Sequence, residues 1–89
     1  MTTAMPAMYS PPTQRAVDHL VELGFTITAN GRDFTHPRAV VRLIDDGAAC
    51  FIVRPVRHGD PYYDFWEAQL TRAPMDVFAA AVAAAIRED

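Results

Sequence analysis

An 89-residue chain has room for one domain and no second, and a domain this small buries a modest share of its surface, so marginal stability is expected and self-association would add core. Its hydrophobic fraction of 51% against 21% charged residues excludes an intrinsically disordered chain. The net charge of −3 argues against general nucleic-acid binding, where a basic domain is expected, but leaves room for a local basic face. All eight basic residues are arginine, which with abundant Ala, Val, Asp and Pro points to a GC-rich genome, a matter of codons rather than chemistry. The single cysteine, Cys50, cannot form an intramolecular disulfide. In the apolar run 48–53 it reads as a small core residue, and no base that would make it a nucleophile is identifiable. Residues 1–9 lack the basic and apolar regions of a signal peptide. The longest apolar run, near 77–86, falls short of the ~20 residues a bilayer span needs. A soluble, cytoplasmic protein with no membrane contact is the expectation.

Residues 1–9 show no periodicity and read as a tail. A helix follows, with Ser10 as N-cap and Pro11 in the first position, where the missing N–H is not needed. Ala16, Val17, Leu20, Val21 and Leu23 form its apolar stripe, and Gly24 closes it as a left-handed residue. Segment 25–29 (FTITA) alternates as a half-buried strand. Asn30-Gly31 is the strongest short hairpin signal, with positive φ tolerated at both positions, and 32–36 (RDFTH) returns as a short strand. Pro37 interrupts the ladder. Segments 38–44 and 48–56 form the next hairpin around Asp45-Asp46-Gly47. A three-residue loop with Gly47 left-handed pairs Ile44 with Ala48 and Val41 with Phe51. One face is then wholly apolar (Ala39, Val41, Leu43, Ala49, Phe51, Val53), while the other carries Arg38, Val40, Arg42, Ile44, Ala48, Cys50, Ile52 and Arg54.

Segment 62–70 (YYDFWEAQL) has two readings. As a helix, Asp60 and Pro61 cap it, and Tyr62, Trp66 and Leu70 fall at helical spacing. As a strand, Trp66, Ala68 and Leu70 face the core and Phe65, Glu67 and Gln69 face out; aromatic enrichment favours this reading. Pro74 opens the last helix, with Val77, Phe78, Ala81, Val82, Ala85 and Ile86 as its stripe and Asp76 suiting its dipole. The expected fold is α+β: a two-layer sandwich of a four-stranded antiparallel meander between an N-terminal and a C-terminal helix (α-β-β-β-β-α, with a short first β pair).

Catalytic candidates are few. His36 and His58 lie at strand ends near Asp33, Asp60 and Asp64, and His58-x-Asp60 is half of a metal or acid–base site. No Cys/His cluster, phosphate loop or nucleophile elbow accompanies them, and turn chemistry accounts for such residues. Asp45, Asp46 and Gly47 fall short of a calcium loop and read as turn residues. His19 reads as solvent-exposed. No enzyme, metal, cofactor or small-molecule substrate is therefore expected. The outer sheet face is more informative. Arg38, Val40, Arg42, Ile52 and Arg54, extended by Phe65 and Glu67, interleave arginine with apolar side chains. That mixture suits a protein interface or homodimer. It also suits single-stranded nucleic acid, or a solvated face with cross-strand Arg–Glu pairs.

Two family resemblances arise from these segments. Phe34-Thr-His-Pro37, Arg38-Ala-Val-Val-Arg-Leu43, Trp66-Glu-Ala68, and Ala73-Pro74 before Val77-Phe-Ala-Ala-Ala-Val82 together resemble the SPDY-type domain of unknown function of actinobacteria and their phages. This resemblance spans roughly 20–86 and implies the four-stranded fold without an activity; Thr35-His36-Pro37-Arg38 stands where that family has Ser-Pro-Asp. Segments 20–25 and 34–37 resemble HicA-type toxins, small RNases of α-β-β-β-α fold. Those toxins carry a catalytic histidine ahead of the phenylalanine, whereas Gly31-Arg32-Asp33-Phe34 has none. The reading that follows is a small non-enzymatic accessory protein acting by protein–protein contact, either phage-encoded and binding a host protein or self-associating. The alternative is a nucleic-acid-binding domain using the arginine-bearing face, and a third is an inactive toxin-like fold.

Overall fold

The computed structural model describes residues 9–56 and 66–87. Helix α1 (Pro11–Glu22) is followed by strands β1 (Thr26–Ile27), β2 (Asp33–His36), β3 (Ala39–Asp45), β4 (Cys50–Pro55) and β5 (Ala68–Thr71), and then by helix α2 (Met75–Arg87). The strands pair antiparallel in chain order, so the α+β fold contains a five-stranded meander rather than the expected four-stranded one. The additional strand is the end of the ambiguous segment: Ala68 to Thr71 pair with β4, Phe51 opposite Leu70 and Cys50 opposite Thr71. Its first part, with Tyr62 and Phe65, lies outside the described residues.

Both helices cover one face. Ala16, Val17 and Leu20 of α1 and Phe78, Val82 and Ala85 of α2 share a single buried cluster with Phe34, Ala39, Val41, Leu43, Phe51 and Val53 of the sheet. Three phenylalanines form its spine. The Phe34 and Phe51 rings lie 6.5 Å apart, and those of Phe51 and Phe78 lie 5.1 Å apart. The alternation of β3 and β4 explains this layering, since a wholly apolar face must be covered. Among the described residues no helix is long and apolar enough to cross a membrane.

The close of α1 follows its sequence. Gly24 is left-handed at φ 98°, the Phe25 N–H donates to the Leu20 carbonyl (3.0 Å), and the Gly24 N–H donates to that of Val21 (3.0 Å). This is the Schellman arrangement, with Phe25 and Leu20 both buried beside it. The start of α1 falls where expected, with Ser10 as N-cap and Pro11 in the first position, but the Ser10 side chain makes no cap bond to its helix's backbone. Its hydroxyl instead donates to the Asp46 carbonyl at 3.0 Å, and its N–H donates to the Asp46 carboxylate at 2.9 Å. Fully buried Thr13 donates its hydroxyl to the same carbonyl at 3.1 Å. Asp46 therefore caps α1 from a loop 36 residues away.

That loop also corrects the expected register. Val41 faces Val53 and Leu43 faces Phe51, a shift of two residues from the predicted pairing. Because side chains alternate with period two, the shift leaves the paired residues from Ala39 to Leu43 and from Phe51 to Arg54 on their predicted faces. Its causes are a bulge at Ile44, between Leu43 and Asp45, and a turn in which the Ala49 N–H donates to the Asp46 carbonyl at 3.1 Å. The left-handed residue is Ala49, at φ 46°, and not Gly47.

Smaller corrections have local causes. In the first hairpin only Gly31 has positive φ (71°); Asn30 acts through its side chain, whose Oδ1 accepts the Arg32 N–H at 2.8 Å. Segment 25–29 does not alternate as a half-buried strand. Phe25 is buried, but Ile27 is exposed because β1 is the sheet edge and has a neighbour on one side only. Val77 is exposed, since the buried stripe of α2 centres on Phe78, Val82 and Ala85. His19 is half-buried, its ring edge-on to Phe78 at 6.4 Å.

Two substitutions test the linkage between loop and helix. Asp46→Ala removes a cap and should lower unfolding free energy by about 1–2 kcal/mol in urea titrations. The Ser10 N–H holds the Asp46 carboxyl below its ordinary pKa. The contribution is therefore full above about pH 4 and lost as pH falls through the lowered folded value, so the acid limb of stability should be shallower in Asp46→Asn. Ala49→Gly relieves a left-handed alanine and should raise stability by up to about 1 kcal/mol, net of the added chain entropy.

Candidate functional site

The face of the sheet turned away from the helices is built from two cross-strand rows. One runs Asp33, Arg42, Ile52, Gln69; the other runs Thr26, Thr35, Val40, Arg54. Residues opposed in an antiparallel ladder share a face, so these rows interleave arginine with aliphatic side chains as the alternation predicts. Val40, Arg42, Ile52, Arg54 and Glu67 together line one shallow depression of about 160 Å³. Val40 and Ile52 form its half-buried apolar floor.

Two of the predicted residues are not part of it. Arg38 lies in the turn between β2 and β3, and its Nε donates to the Ile86 carbonyl at 2.7 Å, in the last turn of α2. A cation there satisfies a helix-terminal carbonyl and the negative end of the dipole, which draws Arg38 toward the helix layer. Phe65 lies outside the described residues.

Arg42 stays on the face and is paired. Its Nε donates to the Asp33 carboxylate at 2.8 Å, and Asn30 Nδ2 donates to the other oxygen at 3.1 Å. The hydrogen bond from Arg42, then that from Asn30, holds the Asp33 carboxyl below its usual range. Asp33 is thereby an ion-pair partner, not a free acid. His36 is likewise accounted for: its Nδ1 accepts the Arg38 N–H at 3.0 Å across the Pro37-Arg38 turn, and its ring lies 5.0 Å from that of Phe25. His58, Asp60 and Asp64 lie outside the described residues. Among the described residues no group of three or more His, Cys, Asp and Glu side chains is placed to hold a metal ion. Cys50 is buried, yet outside the core between sheet and helices. On the opposite side of the sheet its sulfur accepts hydrogen bonds from Thr71 Oγ1 (3.4 Å) and Gln69 Nε2 (3.6 Å).

Sequence reading missed a larger concavity on the helix side. A crevice of about 430 Å³ opens where both helices begin, lined in part by Ala16, Phe51, Leu70, Met75 and Phe78, with Arg72 among its polar residues. The available signals were weak: small residues at 16 and 49, and a single arginine just ahead of Ala73-Pro74.

Titration of the side-chain carboxyls by NMR checks the outer-face pairing. Asp33 should titrate below an ordinary aspartate, and Arg42→Gln should move its midpoint upward, by more at low ionic strength than at high. No family model matches this chain, and neither the curated proteins nor the solved structures include a significant match to it.

Proposed function

We propose that this chain is a small non-enzymatic accessory protein that acts by protein–protein contact through the outer face of its sheet. The observation that carries the reading is the depression formed by Val40, Arg42, Ile52, Arg54 and Glu67, on the face opposite the shared core of sheet and helices. An apolar floor ringed by arginine and a carboxylate is the pattern of an interface centre, where aliphatic contact supplies area and charge supplies register. The complementary surface is apolar and flanked by carboxylates, on a second copy or on another protein. The resemblance to a domain of actinobacteria and their phages extends the reading to a phage product acting on a host protein. Nucleic-acid binding is the weaker reading, because Arg42 is neutralised by Asp33 and Arg38 donates to the end of α2. Counterion release, which drives such binding, needs cations available to phosphate.

Size-exclusion chromatography with light scattering, together with a pull-down from a lysate of the host, tests the proposal. The wild-type chain should self-associate or retain a partner. Ile52→Glu should weaken that association by at least about thirtyfold, the cost of a central contact, while thermal unfolding shows a folded protein. A strict monomer that retains nothing would end the proposal.

A further inference from the structure

The crevice on the helix side is independent of the outer face and has a chemistry of its own. Phe51 and Phe78 form its floor, their rings 5.1 Å apart, and the half-buried Leu70 and Met75 contribute further apolar lining. At about 430 Å³ it falls within the range of small-molecule sites, which are largely apolar with a few placed polar groups. Among the described residues Arg72 is the one cation lining it. Arg72 is held there by its own N–H, which donates to the Ala49 carbonyl at 3.2 Å. Its guanidinium reaches only the Gly47 carbonyl, at 3.5 Å, and pairs with no carboxylate among the described residues.

The surrounding backbone decides which anion fits. A phosphate site at a helix end needs a run of free amides. Helix α1 begins with Pro11 and Pro12, which have none, and the Ser10 N–H already donates to the Asp46 carboxylate. The first turn of α2 carries its own carboxylate, Asp76, which opposes a multiply charged anion there. One exposed guanidinium with no carboxylate partner among the described residues, beside an apolar chamber, matches a single carboxylate, which it can bind through two parallel hydrogen bonds. We infer that this crevice binds a small amphiphilic monocarboxylate, its apolar body lying on Phe51 and Phe78 and its carboxylate on Arg72.

Methyl NMR of the full-length chain tests this with decanoate and, as its uncharged counterpart, decanol. Both should shift the Leu70 and Met75 methyl signals saturably. From hexanoate to decanoate each added methylene should tighten binding about three- to fourfold, until the crevice is full. Arg72→Gln should weaken decanoate about tenfold or more and leave decanol unchanged. Ala16→Leu, which extends a side chain into the crevice, should abolish both while the spectrum remains that of a folded protein. Ile52→Glu, on the other face, should change neither, so this result and that for the outer face stand separately. The inference is overturned if decanoate gives no saturable shift at Leu70 and Met75. It is equally overturned if Arg72→Gln weakens decanoate and decanol alike.

Discussion

The contact between Asp46 and the start of α1 sets the arrangement of the rest of the molecule. A helix must satisfy its first N–H groups, and here Pro11 and Pro12 remove two of them while a loop of the sheet accepts the Ser10 N–H and, beside it, the hydroxyls of Ser10 and Thr13. The cap is thus tertiary: it fixes α1 to the β3–β4 hairpin instead of closing the helix on itself. The hairpin conforms to it. Asp46 can present both its carbonyl and its carboxylate to α1 because the loop is wider than a three-residue turn, with Ile44 bulged and Ala49 left-handed. A left-handed alanine costs free energy, and the bonds to Ser10 and Thr13 offset it.

This explains which features were legible in the sequence. The faces of β3 and β4 were, because parity depends only on alternation: Ala39, Val41, Leu43, Phe51 and Val53 are all buried, whichever even shift the register takes. The register itself was not, since it depends on where Asp46 bonds, and that partner is 36 residues away. Gly47 looked like the left-handed residue by intrinsic preference, yet the tertiary bond places that conformation on Ala49. The end of α1 was legible for the opposite reason. Gly24, Leu20 and Phe25 form a local motif that needs nothing from the remainder of the chain.

The candidate site divides along the same line. Val40, Arg42, Ile52 and Arg54 share a face by alternation, and the structure brings them together with Glu67. Composition did not reveal which arginines have structural partners. Arg38 follows Pro37 in a turn, close enough to the end of α2 to hold the Ile86 carbonyl. Arg42 has Asp33 directly opposite on β2. An arginine count on a sheet face therefore overstates the positive charge offered to a partner. For the same reason the apolar floor weighs more than the arginines in the choice between protein and nucleic acid.

The helix-side crevice illustrates the complementary limit. Its lining comes from α1, the β3–β4 hairpin, β5 and the approach to α2, so no window of sequence contains it. It lies beside the same Asp46 loop: Gly47 and Ala49 line it, and Ala49 binds the Arg72 N–H. The left-handed residues Ala49 and Arg72 are joined by that bond, which makes the geometry of the mouth a consequence of the loop that caps α1. Strained backbone persists where the surrounding structure over-determines it. Here that over-determination places an exposed guanidinium at the edge of an apolar floor, an arrangement that stability alone does not require, since a neutral residue at 72 would keep the backbone bond to Ala49.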